Sequence, residues 1–248
     1  LLQWLEAFLI RMVKNSAKEL VLDLLSIIYP PLCPGCGNIL VTGESEICWS
    51  CLTDIEETGF ENNPVENEFF FRVGGLTQIE SAASLYYFEK KSKLQRIISS
   101  LKYGGQELVG MRLGKHCAHR FAESEFLKSV EVVIPVPLHP SRMRMRGYNQ
   151  SEEIARGFCE VTGHQLDTTS LIRARRTITQ TKKGKQERWA AMANVFRFIE
   201  PVEKNVLLVD DVMTTGSTLV GCAVTLNRQV FRPASIRLMT IGMTRNYK

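Results

Sequence analysis

No stretch of the 248-residue chain stays apolar for the about 18 residues that a membrane-spanning helix needs. The nearest approach lies at the N-terminal end, where Arg11, Lys14 and Lys18 break the apolar pattern. Neither a transmembrane segment nor a signal peptide is expected. One-sided charge is also lacking: 31 Lys and Arg face 26 Asp and Glu, a net +5. That balance, with 44% hydrophobic residues, describes an ordinary soluble globular protein of one large domain or one domain and an appendage. A disulfide framework is missing too. Four of the seven cysteines form two C-x-x-C pairs and the other three stand alone in apolar surroundings, so a reducing, cytoplasmic compartment is expected.

The pairs are Cys33-Pro-Gly-Cys36 and Cys48-Trp-Ser-Cys51, separated by eleven residues. Two such knuckles can surround one Zn²⁺ with four thiolates, and Gly35 and Gly37 permit the tight turn. A redox dithiol needs only one pair, in a thioredoxin-like setting that is absent here. A closed four-thiolate site has no open coordination position, so its expected role is structural.

Ahead of the knuckles, residues 1–28 carry Trp4, Leu5, Phe8, Leu9 and Met12, then Val21, Leu22, Leu24, Leu25 and Ile28, at helical spacing. This amphipathic helix has to dock on the core, a membrane surface or a second protein. Tyr29-Pro-Pro31 ends it. Residues 53–75 read as acidic and loop-like. Beyond them the chain alternates strand and helix: a strand at 79–88, helices at 92–102 and 107–122, and a strand at 130–136. A helix follows from about 149 to Gly163, then a helix through Trp189 and Met192, strands at 195–199 and 206–209, a helix to Asn227 and a last strand at 234–241. His116 and His119 flank Cys117 with no further ligand at suitable spacing, and are expected to be helix-surface histidines. The alternation indicates an α/β domain with a parallel sheet flanked by helices. The expected organisation is an N-terminal helix (1–30), a four-cysteine finger (31–60), a linker (61–78) and the α/β domain (79–248).

The chemistry concentrates in Val206-Leu-Leu-Val-Asp210-Asp211-Val-Met-Thr214-Thr215-Gly216-Ser217-Thr218. An apolar strand leads to two adjacent acids, then to a loop of hydroxyls and glycine that opens a helix. The free N–H groups of that helix and the loop hydroxyls suit a phosphate. The acids suit ribose hydroxyls or a divalent cation. Upstream, Val136-Pro137-Leu138-His-Pro-Ser-Arg142 and Arg144-Met-Arg146 form a stiff proline-rich loop at a strand end, with guanidinium groups matched to pyrophosphate oxygens. From Leu171 to Arg188 there are seven Lys or Arg against one Glu, including Arg176, Lys182, Lys183, Lys185 and Arg188. Such a basic loop can serve polyphosphate or nucleic acid, and charge alone does not choose between them.

In this order, the knuckles, Ile134-Pro-Val-Pro-Leu-His-Pro with Arg146-Gly-Tyr-Asn-Gln150, and Val206–Thr218 resemble the ComF family. Its members join a zinc finger to a type I phosphoribosyltransferase-like domain. Arg176, Thr177, Gln180 and Arg188 are similar to that family's flexible loop. The resemblance implies that Asp210 and Asp211 bind ribose hydroxyls, directly or through Mg²⁺, and that Thr214, Thr215, Gly216, Ser217 and Thr218 hold a 5′-phosphate. It implies that Val136, Pro137 and Leu138, with Arg142 and Arg146, meet pyrophosphate, and that the flexible loop covers the site. The ligand implied is phosphoribosyl pyrophosphate or a related ribose phosphate. Thr214 stands where purine-type enzymes of this fold carry an Asp that handles a base proton, so purine salvage is disfavoured. Family context implies DNA uptake for natural transformation, with single-stranded DNA or a competence helicase as partner. Two readings stand: a phosphoribosyl-transferring enzyme of unnamed acceptor, and a DNA- or helicase-interacting module that keeps a relic ribose-phosphate site.

Overall fold

The structure, a computed structural model, describes residues 29–174, 195–200, 202–229 and 232–245. The expected N-terminal helix over 1–28, the flexible-loop residues Arg176, Thr177, Gln180 and Arg188, and the helix expected through Trp189 and Met192 lie outside the described residues.

Five strands form one parallel sheet: β1 (Ser81–Tyr87), β2 (Val132–Pro135), β3 (Gln165–Leu166), β6 (Val206–Met213) and β7 (Ile236–Met243), in the order β1-β7-β6-β2-β3. A short antiparallel pair, β4 (Leu171–Arg173) with β5 (Phe196–Phe198), stands apart from it. Strands β1, β2 and β7 are mostly apolar and almost wholly buried, as sheets covered on both faces require, and only the short edge strand β3 is open to solvent. With the knuckle beside it, this is the α/β architecture expected.

The helices are α1 (Trp49–Asp54), α2 (Glu68–Gly74), α3 (Lys93–Tyr103), α4 (Glu107–Phe121), α5 (Pro140–Arg146), α6 (Gln150–Thr162) and α7 (Ser217–Asn227). In α3, Leu94, Ile97, Ile98 and Leu101 are buried at helical spacing, with Ser92 capping the first turn through the Gln95 amide. Helices α4 and α6 cross at backbone contact. A Cβ on Gly114 or Gly157 would come within 2.0 Å of a carbonyl oxygen of the facing helix, Ile154 or Met111, so only glycine fits there.

Two segments differ from the expectation. Within the stretch read as loop-like, Glu68–Gly74 is helix α2, capped by the Asn67 side chain on the Phe70 amide. Burial of Phe69 and Val73, one turn apart, makes it helical despite the local acidity. The proline-rich segment after β2 is not loop throughout. Pro140 occupies the first helical turn, where its missing N–H costs nothing, and the His139 ring accepts from the Ser141 amide, giving α5. His116 is also not a simple surface histidine. It is half-buried and stacked on Tyr86 with ring centroids 6.2 Å apart, and burial pushes its pKa down, whereas His119 is exposed.

From β2 the chain crosses through α6 to β3, and from β6 it crosses through α7 to β7 on the opposite side. The crevice outside the carboxyl ends of β2 and β6 is therefore the switch point where open α/β sheets take ligands.

Candidate functional site

A cleft of about 520 Å³ opens at that crevice. Its lining includes Val136, Pro137, Leu138, Arg142, Arg146, Asp210, Asp211, Thr214 and Thr218, all singled out in the sequence. Thr215, Gly216 and Ser217 complete a small adjoining cup with Asp210, Thr214 and Thr218. The structure thus gathers the phosphate loop, the acids and the arginine segment, which come from separate parts of the chain. The described start of the basic segment reaches the same place: the Ala174 amide donates to the Val195 carbonyl, and its neighbour Arg173 lines the cleft.

The cup forms because Gly216 takes the left-handed conformation, φ 74°, and caps α7. The Thr215 and Ser217 hydroxyls lie 3.0 Å apart across the turn, and the Ser217 amide donates to Thr215 Oγ1. From behind, Arg72 Nη1 and Thr244 Oγ1 both donate to the Thr214 carbonyl, at 3.3 and 3.2 Å. Arg72 belongs to α2 and pairs with Glu68 on the same helix. Helix α2 is thus the backing of the phosphate loop.

The two acids lie inside β6 rather than after it, so their side chains alternate and meet different partners. Asp210 Oδ1 accepts from the Ser151 hydroxyl at 2.8 Å and from the Asp211 amide at 2.9 Å. Burial, with the Asp211 charge adding, pushes the Asp210 pKa up to about 7. Asp211 Oδ1 accepts from the Val212 amide at 2.6 Å, and its Oδ2 forms an ion pair with Lys102 at 2.8 Å. Three of the four carboxylate oxygens are therefore engaged by protein donors. Asp210 Oδ2 is the oxygen left, so the pair offers a Mg²⁺ ion one carboxylate oxygen rather than a bridging set.

Helical spacing explains the arginines. Arg142 and Arg146 lie one turn apart in α5 and line the cleft, while Arg144 points elsewhere. Arg146 donates to Gln150 Oε1 at 2.6 Å and sits over the Tyr103 ring at 5.2 Å. Burial pushes the Arg173 guanidinium down, and the Arg142 charge adds to this. An anion between these cations would relieve both effects.

The knuckle is a second site. The Sγ atoms of Cys33, Cys36, Cys48 and Cys51 all lie within 4.8 Å of one another, with Cys36 and Cys48 at 3.7 Å. Four Zn–S bonds of about 2.3 Å in a tetrahedron place sulfurs about 3.8 Å apart, so the donor set fits zinc. The Cys48 and Cys51 amides point at sulfurs, and Cys48 Sγ caps α1. Burial raises the Cys33 thiol, but amide N–H groups from Cys48, Cys36 and Gly35 outweigh it and bring its pKa to about 7. None of the seven cysteines is paired in a disulfide.

Over 199 residues, 76% of this chain and 75% of the relative, the sequence is 36% identical to competence protein F of Haemophilus influenzae. The chain belongs to the ComF family. It is also 31% identical over 189 residues to competence protein ComFC of Streptococcus pneumoniae, covering 73% of this chain and 81% of that protein. A shorter match, 36% over 97 residues, joins it to the DNA utilization protein YhgH of Escherichia coli O157:H7. That match spans 39% of this chain and only 43% of the YhgH protein. No family model matches the chain.

Two cleft residues of this ComF-family chain had no sequence signal, Lys102 and Ser151, and Arg173 had only its place in the basic segment. Each is an ordinary polar residue at the end of an element, and only the sheet order brings it to the acids. Tyr148 does part of this work. Its hydroxyl donates to the Leu101 carbonyl at 2.5 Å, tying the C-terminal end of α3 to the start of α6 and so Lys102 to Ser151.

Proposed function

We propose that this chain binds a ribose 5-phosphate ligand, phosphoribosyl pyrophosphate in particular, and acts in the cytoplasm in DNA uptake. The observation that carries the first part is the cup at the start of α7 with two acids beside it and cationic groups opposite. The α7 N–H groups and the Thr215, Ser217 and Thr218 hydroxyls would take the 5′-phosphate. Asp210 and Asp211 would meet the ribose hydroxyls. Arg142, Arg146 and Arg173 would face the pyrophosphate, a match for planar guanidinium groups. Transfer of the ribosyl group needs little proton chemistry at the sugar; it needs a stabilised leaving pyrophosphate and exclusion of water. Thr214 supplies no carboxylate for a purine proton, so the acceptor in this reading is not a purine base. Magnesium, if it accompanies the pyrophosphate, would be held by the ligand's own oxygens rather than by the acid pair.

The uptake part rests on the names of the relatives, competence protein F, ComFC and the DNA utilization protein. A second reading, direct contact with single-stranded DNA or with a competence helicase, is favoured by the exposed Arg142 and Arg144 on α5. Isothermal titration with phosphoribosyl pyrophosphate, with and without Mg²⁺, tests the first reading. Binding is expected for the wild type and its loss for Asp210→Asn combined with Asp211→Asn; equal weak heats for both proteins would overturn it. Fluorescence anisotropy of a labelled oligonucleotide tests the second, which requires an affinity that falls steeply with salt.

A further inference from the structure

We propose that the ribose end of this cleft works with a built-in ammonium group in place of a metal ion: Lys102 holds Asp211 and donates to the ribose hydroxyls of the ligand. The inference rests on the ribose-phosphate reading of the cleft and sharpens it. Lys102 Nζ lies 2.8 Å from Asp211 Oδ2, with side-chain exposures of 25% and 11%. A cation therefore already sits where a divalent ion approaching that oxygen would have to sit. Of the remaining oxygens, Asp211 Oδ1 and Asp210 Oδ1 accept from protein donors, which leaves a metal ion Asp210 Oδ2 alone rather than a pair of oxygens.

Placement of the lysine is specific. It is the penultimate residue of α3, whose buried stripe of Ile97, Ile98 and Leu101 fixes the helix rotation. Tyr148 grips the Leu101 carbonyl, and Gly104 ends the helix where a Cβ would come within 2.8 Å of the Ser100 carbonyl oxygen. An ammonium group has three N–H donors. One serves Asp211, and the group lines the cleft that also holds Arg142, Arg146 and Arg173. A compact point charge on a flexible stem can bridge a carboxylate and a ribose hydroxyl oxygen as a hydrated cation does.

The test uses the full chain with ribose 5-phosphate as probe, in EDTA and in Mg²⁺, together with Mn²⁺ titration of the ligand-free protein followed by electron paramagnetic resonance. Wild type should bind the sugar phosphate within about threefold equally in the two buffers and hold no stoichiometric Mn²⁺. Lys102→Met should lose about tenfold or more in EDTA, the worth of one charge-assisted hydrogen bond, and recover in Mg²⁺ while gaining a Mn²⁺ site. Lys102→Arg, which keeps the charge, should stay metal-independent. Stoichiometric Mn²⁺ on the wild type, or a metal response in Lys102→Met no different from wild type, overturns the inference. If no protein binds ribose 5-phosphate in either buffer, the ribose-phosphate reading falls, and the Mn²⁺ comparison alone then decides the role of Lys102.

Discussion

Gly216 offers a direct test of how α2 supports the phosphate loop. Its φ of 74° lies in the left-handed region, and a Cβ added there would stand 2.6 Å from Val73 Cγ1. Val73 has no exposed surface and a stiff β-branched side chain, so it has nowhere to move. For Gly216→Ala the left-handed backbone costs about 1–2 kcal/mol. The forced contact adds about 1–3 kcal/mol. A loss of about 3 kcal/mol lowers the melting temperature of a chain this size by roughly 6–12 °C. Urea unfolding of Gly216→Ala, Val73→Ala and the double variant separates the two costs. Removing the Val73 methyls relieves the contact but not the backbone strain, so the double variant should be less destabilised than the sum by about 1–3 kcal/mol. Additivity within about 0.5 kcal/mol would refute the contact, and with it the claim that α2 backs the loop.

Two further outcomes are expected. Metal analysis of the purified chain should find one zinc per molecule, and Cys51→Ala should abolish it with a large loss of stability, because the metal is the link among four otherwise repelling thiolates. For Asp210, burial and the Asp211 charge raise the folded pKa to about 7, above the unfolded value of about 3.9. The stability it contributes is full below about pH 4 and is lost as pH rises through about 7. Wild type should therefore weaken by a few kcal/mol over that window relative to Asp210→Asn, whose amide does not titrate; parallel pH profiles for the two proteins would show that the carboxyl is not so perturbed.

Much of the fold was legible because apolar runs and punctuation agreed. Val206 to Val209 is apolar at every position, and a strand buried on both faces needs nothing else. Tyr103-Gly-Gly105 marked the end of α3 because glycine is the residue a helix can end on without strain. The loop from Thr214 to Thr218 was legible as a contiguous motif, and so were the knuckles. What escaped the sequence depended on distant partners. Helix α2 carries three successive phenylalanines, of which only Phe69 is fully buried; the neighbour that selects it is β1, and no local pattern announces that. The arginine segment read as loop because prolines dominate it, although a proline in the first helical turn is neutral. Lys102 and Ser151 had no motif at all, since their partners Asp211 and Asp210 arrive only when β6 inserts beside β2.

The knuckle and the cleft look like separate devices, yet α3 joins them mechanically. Arg96 Nε on α3 donates to the Gly35 carbonyl at 2.6 Å, between the first pair of cysteines. Lys93 pairs with Asp54 at the end of α1 at 2.8 Å. A Cβ on Gly35 would come within 3.2 Å of the Ile97 side chain, so the knuckle sits flush on the helix. Tyr86 of β1 donates to the Leu52 carbonyl at 2.8 Å and closes the same contact from below. At its other end α3 presents Lys102 to Asp211 and is gripped by Tyr148. A helix of eleven residues bound at both ends transmits position rather than absorbing it. A zinc ion held by the four cysteines would therefore act on the cleft without touching it: it would fix the turn on which the amino end of α3 rests, and so the placement of the Lys102 ammonium group at its carboxyl end. On this account the knuckle is part of the cleft's architecture, and three of its cysteines, Cys33, Cys48 and Cys51, belong to the same buried core as the sheet.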